Sequence, residues 1–587
     1  MKPGDRVTGR DPAGGARGRS GAGAGSGRRG DLVALLVVLG LAWLVLYPLL
    51  LVGTQASHAH LGVFLHSRAE WEALWGSLWI AVASVALAAL IGVPLALVFE
   101  RYDFPGRRVL GALLALPAVL PPLVGVIAFL FLYGEGGFVA RGVQAVLGLA
   151  HSPWRLQGAG AILLVHAYSM YVYFYLFARA GLARLDGSML EAAASLGAGP
   201  WRTFRRVTLP LLAPALWGAA LLTFMTALAS FSAPYIFGGG FRVMTTQIVA
   251  TKLNGDLPRA MLETVALAVL ALAGFAIVQR TERGDRLVVA VGKGTAPALR
   301  PITHPLARRA AAAAGWAVAL VMLLPHLTLI LVSLVPTGTW TTQALPPVLS
   351  LVNYARLVSE PERLRPLVTS LWMAAVATAG AVGIALLAGH LVVRRRVRLR
   401  RAIETLLALP WAVPGTVVAI ALAVMFSADR PLLLRFLLVG TAAILPLAYL
   451  VRSLPLTGRA LLAGYRQLDP SLEEAAASLG AGRARRLVRV TLPLLRPALA
   501  AGASLAFITA LGDFVTSILL YTYSTRPISI EILSSLRLSD VGVAAAFGVI
   551  LMAVSAAALG LGARGGWGGA GGGGGGGGGM AAGRAAG

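Results

Sequence analysis

Two stretches of this 587-residue chain decide its fold: EAAASLGAGPWRTFRRVTLP, from Glu191 to Pro210, and EAAASLGAGRARRLVRVTLP, from Glu474 to Pro493. Each is introduced by Leu-Asp-x-Ser, as Leu185-Asp186 with Ser188 and as Leu468-Asp469 with Ser471. Ser188-x-x-Glu191 and Ser471-x-x-Glu474 have the spacing of capping boxes, in which serine and glutamate side chains satisfy backbone N–H groups at a helix start. Alanines extend the helix, and Gly197 or Gly480 suits a left-handed turn that ends it. Arg202, Arg205 and Arg206 follow in one copy, and Arg483, Arg485, Arg486 and Arg489 in the other. Leu209-Pro210 and Leu492-Pro493 then lead into an apolar run, where proline fits a first helical turn. The pattern predicts a helix–turn–helix elbow, made twice. One copy alone reads as an interfacial segment, with its glutamate a capping partner. Two matching copies, each before the same kind of apolar run, read as a docking element with a small alanine surface.

Outward from the elbows the chain is strongly apolar. Hydrophobic residues make up 57%, charged residues 13%, and the mean hydropathy is +0.77. Soluble domains carry about 25% charged residues, so an ordinary cytosolic enzyme is excluded and lipid is the main solvent. Roughly 20 apolar residues span a bilayer. Runs of that kind fall near 32–53, 75–99, 109–133, 159–182, 211–237, 260–279, 311–336, 367–393, 403–427, 431–451, 494–520 and 541–562. The expected fold is all-α: a polytopic membrane protein of about twelve transmembrane helices. Cysteine is absent, which excludes disulfides and thiolate metal sites. Met1–Gly30 is Gly/Arg-rich and has no cleavable-signal pattern.

The net charge of +27 has a membrane explanation. With the N-terminus inside, the segments 1–31, 100–108, 179–210, 280–310, 394–402, 452–496 and the C-terminal tail hold 38 of the 51 Lys and Arg residues. That is the positive-inside bias, and it accounts for the basicity without nucleic acid. The run Arg394 to Arg401 reads as an anchor on anionic headgroups of membrane lipid.

The halves repeat one another. Ser77-Leu78-Trp79 recurs as Ser370-Leu371-Trp372, and Leu113-Leu114-Ala115-Leu116-Pro117 as Leu406-Leu407-Ala408-Leu409-Pro410, with Pro121 matching Pro414. Further on the offset drops by ten, which places extra residues of the first half around Gly134–Gly158. Six spans per half is an even number, so the two six-helix repeats insert the same way up. The expected organisation is a basic tail at 1–30, a first half at 31–280, a linker at 281–310, a second half at 311–563 and a glycine-rich tail at 564–587. Both tails are too polar or glycine-rich to order themselves.

With these residues in hand, a family resemblance is plain. Glu-Ala-Ala-x3-Gly-x9-Val-x-Leu-Pro resembles the EAA motif of binding-protein-dependent ABC importer permeases, the inner-membrane components of those systems, in their fused two-half form. The resemblance implies that the elbows couple to an ATPase through Glu191, Ala192, Ala193, Gly197, Leu209 and Pro210, and through Glu474, Ala475, Ala476, Gly480, Leu492 and Pro493. It implies further a cytoplasmic ABC ATPase, such as a homodimer, a periplasmic or lipid-anchored solute-binding protein, and a bacterial inner-membrane location with both termini cytoplasmic. No G-x-x-x-x-G-K-[ST] occurs, so ATP belongs on the partner and no cofactor is expected on this chain. The outer segments Ser230-Phe231-Ser232-Ala233-Pro234 and Gly512-Asp513-Phe514-Val515-Thr516 are similar to those of iron(III)-type permeases. Thiamine, polyamine, phosphonate and sulfate-type relatives share the plan, so those substrates stay open.

Ionisable groups inside spans are site candidates by default. Asp513 falls in the eleventh span, with Ser230 in the matching place of the first half; each reads as a pathway residue or as a helix–helix partner. His166 and Tyr168 lie in a span also bearing Ser169, Tyr171, Tyr173 and Tyr175. Such tyrosines cannot all face one side of a helix, so interhelical hydrogen bonds compete with a lining role. His390 is expected at headgroup level, and Glu263 is expected to be solvated at the outer start of the sixth span. No catalytic constellation and no metal site are legible. The competing reading, an ion-coupled secondary transporter, gives no reason for two matching elbows.

Overall fold

A computed structural model describes residues 21–56, 58–285, 299–340, 343–427 and 437–567. The chain folds as two copies of one helical unit. Among the described residues ten helices are long and apolar enough to cross a membrane: Gly30–Gln55, Arg68–Arg101, Pro122–Leu147, Gly158–Leu182, Pro200–Leu228 and Leu257–Val278 in the first half, then Pro305–Ser333, Pro361–Arg394, Arg483–Leu511 and Val541–Arg564 in the second. A further pair of helices, Arg400–Trp411 and Gly415–Phe426, is long and apolar enough only when taken together, and it is bent by 107° at the intervening break.

The tenth expected span is the main displacement. The apolar run places it at 431–451, but the helix runs from Ile444 to Gln467 and takes in Arg452, Arg459 and Arg466; residues 428–436 lie outside the described part. The charges are tolerated because each has a partner. Arg452 pairs with Asp513, Arg459 lies 4.5 Å over the Trp411 ring, and Arg466 reaches Glu404 at 2.6 Å. Hydropathy counts the charges and misses the partners.

Two other expected spans, 211–237 and 494–520, are each divided. Pro200–Leu228 stops before Ser230, and a short helix Ser232–Phe237 follows; Arg483–Leu511 stops before Asp513, and Val515–Leu520 follows. Prolines 210 and 493 therefore lie well inside continuous helices rather than in a first turn. Each follows a π-turn, Phe204–Thr208 or Leu487–Thr491, a wider winding that adapts the helix to a residue without an N–H.

The repeated letters have structural work in both copies. Ser77 accepts the Met244 N–H at 2.8 Å, and Ser370 accepts the Ile528 N–H at 2.7 Å, so one serine in each half caps the returning helix Met244–Leu253 or Ile528–Arg537. Within each half the long second helix packs against the helix before the elbow: Arg68–Arg101 on Gly158–Leu182, and Pro361–Gly389 on Ile444–Gln467. The first helix of each half crosses to the other. Tyr47–Gln55 lies on Gly415–Phe426, and Pro305–Ser333 lies on Pro122–Tyr133.

Two expectations at the edges change. The helix Gly21–Leu41 begins inside the segment expected to be unordered, because extending an existing helix adds a hydrogen bond per residue without a new nucleus. Residues 1–20, 286–298 and 568–587, which hold most of both tails and part of the linker, lie outside the described residues. The linker's described end adds a two-residue parallel pairing of Arg300–Pro301 with Tyr102–Asp103.

Candidate functional site

Both elbows form. The first has the helix Gly187–Ser195, a turn, and a second arm from Pro200; the second has Pro470–Ser478, a turn, and an arm from Arg483. The cap differs from the capping box read in the sequence. Asp186 and Asp469 are the N-caps, their Oδ1 atoms accepting from the Ser188 and Ser471 N–H groups at 3.0 and 2.9 Å. An aspartate two residues ahead of the serine reaches the serine's own orphan N–H from an extended backbone. The Ser471 N–H also holds the Asp469 carboxyl below the usual carboxylate range.

The turns are Schellman motifs. The Ala198 N–H donates to Ala193 O at 3.0 Å and Gly197 N–H to Ala194 O at 2.9 Å; Ala481 to Ala476 and Gly480 to Ala477 repeat this at 3.0 Å. Gly197 and Gly480 have φ of +72° and +80°. Apart from Gly187, no residue of either short helix is buried. Glu191, Ala192, Gly197, Glu474, Ala475 and Gly480 are exposed, and Ala193 and Ala476 are half-buried. Leu209, Pro210 and Pro493 are exposed and Leu492 is half-buried. Leu196 and Leu479, at equivalent places in the turns, are 86% and 88% exposed. A nine-residue helix is marginal alone, so the caps and turns at its ends are what hold each of these uncovered elements in shape.

The other shared feature is the pair of breaks after the second arms. There the equivalent residues Phe231 and Phe514 meet, ring centroids 5.4 Å apart, both fully buried, with Tyr235 5.0 Å from Phe231. Residues 88–284 and 381–564 each match the model of one family, the binding-protein-dependent transport system inner membrane component. The chain belongs to that family. It carries two copies of the unit on one polypeptide, the fused form of an ABC importer permease. It is 31% identical over 536 residues to a probable ABC transporter permease protein of Sinorhizobium fredii, covering 88% of this chain and 94% of that one. It is 30% identical over 452 residues to a ferric transport system permease protein of Actinobacillus pleuropneumoniae, covering 75% of this chain and 63% of the relative. A thiamine transport system permease protein of Salmonella typhimurium is 29% identical over 457 residues, covering 76% and 79%.

In the permease the polar candidates fall into two unlike sets at the breaks. Asp513 lies at the second break, not in a span. Its Oδ1 accepts the Thr516 and Ser517 N–H groups at 2.8 and 3.3 Å, capping Val515–Leu520, while Oδ2 takes the Arg452 guanidinium and the Thr516 hydroxyl. Gly415 makes room, since a Cβ there would sit 2.4 Å from Arg452 Nη1. In the first half Ser230 instead bonds His166 Nε2 at 2.8 Å, and His166 Nδ1 meets the Ser84 hydroxyl at 2.8 Å. His166 is buried and links the helix bearing Ser84 to the first break.

The tyrosines serve packing. Tyr168 donates to Met322 O at 2.8 Å, Tyr171 to Leu114 O at 2.6 Å and Tyr175 to Gly111 O at 3.1 Å. Tyr168 thereby ties the two halves together. Glu263 is not solvated: it has no exposed surface, accepts from Thr251 at 2.8 Å and lies 3.6 Å from Arg259, which also holds fully buried Glu70 at 2.5 Å. The helix Met244–Leu253 folds back over the start of Leu257–Val278 and covers it. His390 opens the π-turn His390–Arg394 at the elbow end and is half-buried. Among the described residues no cluster of His, Asp and Glu has metal-site geometry. Sequence reading missed Arg452, Glu70 and Arg259; the one signal available was an arginine at 452 where the first half has Ser169.

Proposed function

We propose that this permease passes a solute, received from an external binding protein, through a path between its halves, and that the two elbows seat in an ABC ATPase at the cytoplasmic face. The observation that carries this reading is two capped, exposed elbows of one sequence at equivalent places in the two halves. The charge distribution supports the sidedness: the elbow-bearing segments and both termini are among the seven segments that together hold 38 of the 51 Lys and Arg residues, which favours the cytoplasm. Residues 31–280 and 311–563 are then the transporting halves and 281–310 the cytoplasmic linker.

Two similar sockets suit an ATPase homodimer, with ATP bound and hydrolysed there and no cofactor on this chain. Glu191, Gly197, Glu474 and Gly480 are the coupling positions. The path follows the contact of Phe231 with Phe514, flanked by Ser230 and His166 on one side and Asp513 on the other, with Tyr168 bracing the halves beside it. Opening requires those two aromatic side chains to part.

Iron(III) is the solute we favour, on the resemblance of the two break segments and the likeness to a ferric permease. Likeness to a thiamine permease over a larger share of that relative keeps thiamine as the second reading. The test is uptake of radiolabelled iron(III) and thiamine by host cells with and without the gene. Loss of iron uptake alone supports the first reading. Unchanged iron uptake with loss of thiamine uptake overturns it and leaves the permease reading intact.

A further inference from the structure

The two elbows share their sequence but not their attachment. In the second half Glu473 precedes the coupling glutamate, Glu474; in the first half Leu190 holds that place before Glu191. Glu473 faces inward, about one-fifth exposed, and lies between two other segments. Its Oε1 accepts from the Thr491 hydroxyl at 2.8 Å and sits 3.5 Å from Arg394 Nε. Arg394 ends the long helix Pro361–Arg394, and its side chain is 10% exposed. Its Nη1 also donates to Leu468 O at 3.3 Å, the residue before the Asp469 cap. One guanidinium thus holds the second elbow at its entrance and in its first turn. One carboxylate ties that turn to the second arm, since Thr491 closes the π-turn Leu487–Thr491.

The first half keeps the threonine and lacks the rest. Thr208 is the counterpart of Thr491, and its hydroxyl is buried with no partner. Arg101 stands in the place of Arg394, and among the described residues no ion pair joins it to the helix Gly187–Ser195. The first half's own link, Arg179 to Glu100 at 2.5 Å, joins the long helix to Gly158–Leu182 and leaves the elbow aside. The Arg394–Glu473 contact is an ion pair, since Arg394 Nε and Nη2 make no hydrogen bond. The link's hydrogen bonds, Thr491 to Glu473 and Arg394 Nη1 to Leu468 O, each involve one charged group and contribute more than a surface pair, so the second elbow is the more firmly joined of the two.

We infer that Arg394, Glu473 and Thr491 form a transmission link that passes movement of the second elbow to the helix Pro361–Arg394. The second half therefore carries the larger share of coupling, and the first elbow follows its socket more freely. Arg394 and Glu473 are positioning residues here. The inference rests on the docking reading above.

The chain has no cysteine, so paired spin labels can be placed without a background. Labels at Ser478 and Val376 report the second elbow against its long helix; labels at Ser195 and Val82 report the first. The second distance distribution is expected to be the narrower. Arg394→Gln or Glu473→Gln should broaden it to the width of the first, and Leu190→Glu, which offers Thr208 and Arg101 a partner, should narrow the first. In host cells Arg394→Gln should leave the co-purified ATPase at its usual amount while lowering solute uptake on the order of tenfold, the factor that corresponds to one charge-assisted hydrogen bond. Arg394→Glu combined with Glu473→Arg should recover much of the uptake. Equal widths in the two halves, or full uptake by both single variants, would overturn the link. If the unaltered chain retains no ATPase, the docking reading fails instead, and the label widths still decide the tether.

Discussion

Replacing Gly197 or Gly480 tests the elbow with the fewest side effects. A Cβ built at either position meets no atom within 4 Å, so a substitution there cannot act through a clash. What remains is the backbone: φ of +72° and +80° is the left-handed region, where an L side chain costs roughly 1–2 kcal/mol. The short helices have almost no buried surface to absorb the strain. If the ATPase accepts only the ordered elbow, its apparent affinity should fall by about 5- to 30-fold for one alanine substitution. Asparagine tolerates this region better, so the order of loss is Asn, then Ala, then a β-branched residue. Asp adds charge at the docking surface and should cost more than Asn, which has a similar shape. The assay is the amount of ATPase retained by tagged permease purified from host membranes, together with solute uptake. The permease itself should insert normally, since neither position lies in a span. Equal retention by Gly, Asn and Ala variants would refute the argument that the turn matters. A Gly197→Asp, Gly480→Asp double variant with full uptake and full ATPase retention would refute the coupling assignment.

Asp513 and Arg452 should behave as one unit. Breaking a buried ion pair from one side costs about 3–5 kcal/mol, and Arg452, with 26% of its side chain exposed, places the expected loss at the low end. Asp513→Asn and Arg452→Met should each lower the thermal midpoint of the detergent-purified chain, and the double variant should lower it by less than their sum; strict additivity would refute the pairing. Topology is checked by a cysteine at Ala198, which should resist an impermeant thiol reagent added to intact cells and react after lysis. Labelling from outside would reverse the orientation.

Most of the fold was legible because lipid imposes a simple rule. Uninterrupted apolar length located ten spans, and repetition gave the two-half plan. The Ile444–Gln467 helix escaped because hydropathy has no means of pairing Arg452 with Asp513, which lies 61 residues away. The breaks at Ser230 and Asp513 escaped because apolar letters continue on both sides of them. The elbows were legible down to the left-handed glycines, yet the cap was placed on Ser188 and Ser471 when Asp186 and Asp469 hold it. Both readings satisfy the serine N–H, and letters alone do not choose between them. Glu263 was misread for a tertiary reason: the returning helix that buries it comes just before it in sequence and looks like an exposed loop.

Fusion of the halves has a physical consequence that the site geometry makes concrete. When two copies occupy one chain, each interface position can change in one half without changing in the other. The polar groups show where this has happened. At the breaks, a hydrogen-bonded Ser84–His166–Ser230 chain in one half stands where the other has an Arg452–Asp513 ion pair. At the elbows, a buried Thr208 hydroxyl without a partner faces Thr491 bound to Glu473. The parts that stayed alike are the capping aspartates, the left-handed glycines and the two phenylalanines that meet at the breaks. Those are the parts that a symmetric partner or a shared axis would constrain, whereas the attachments behind them touch only their own half. The divergence therefore separates the exposed elbows and the Phe231–Phe514 contact, which are alike in the two halves, from the side chains behind them, which differ, and that is the pattern the proposed coupling and path would produce.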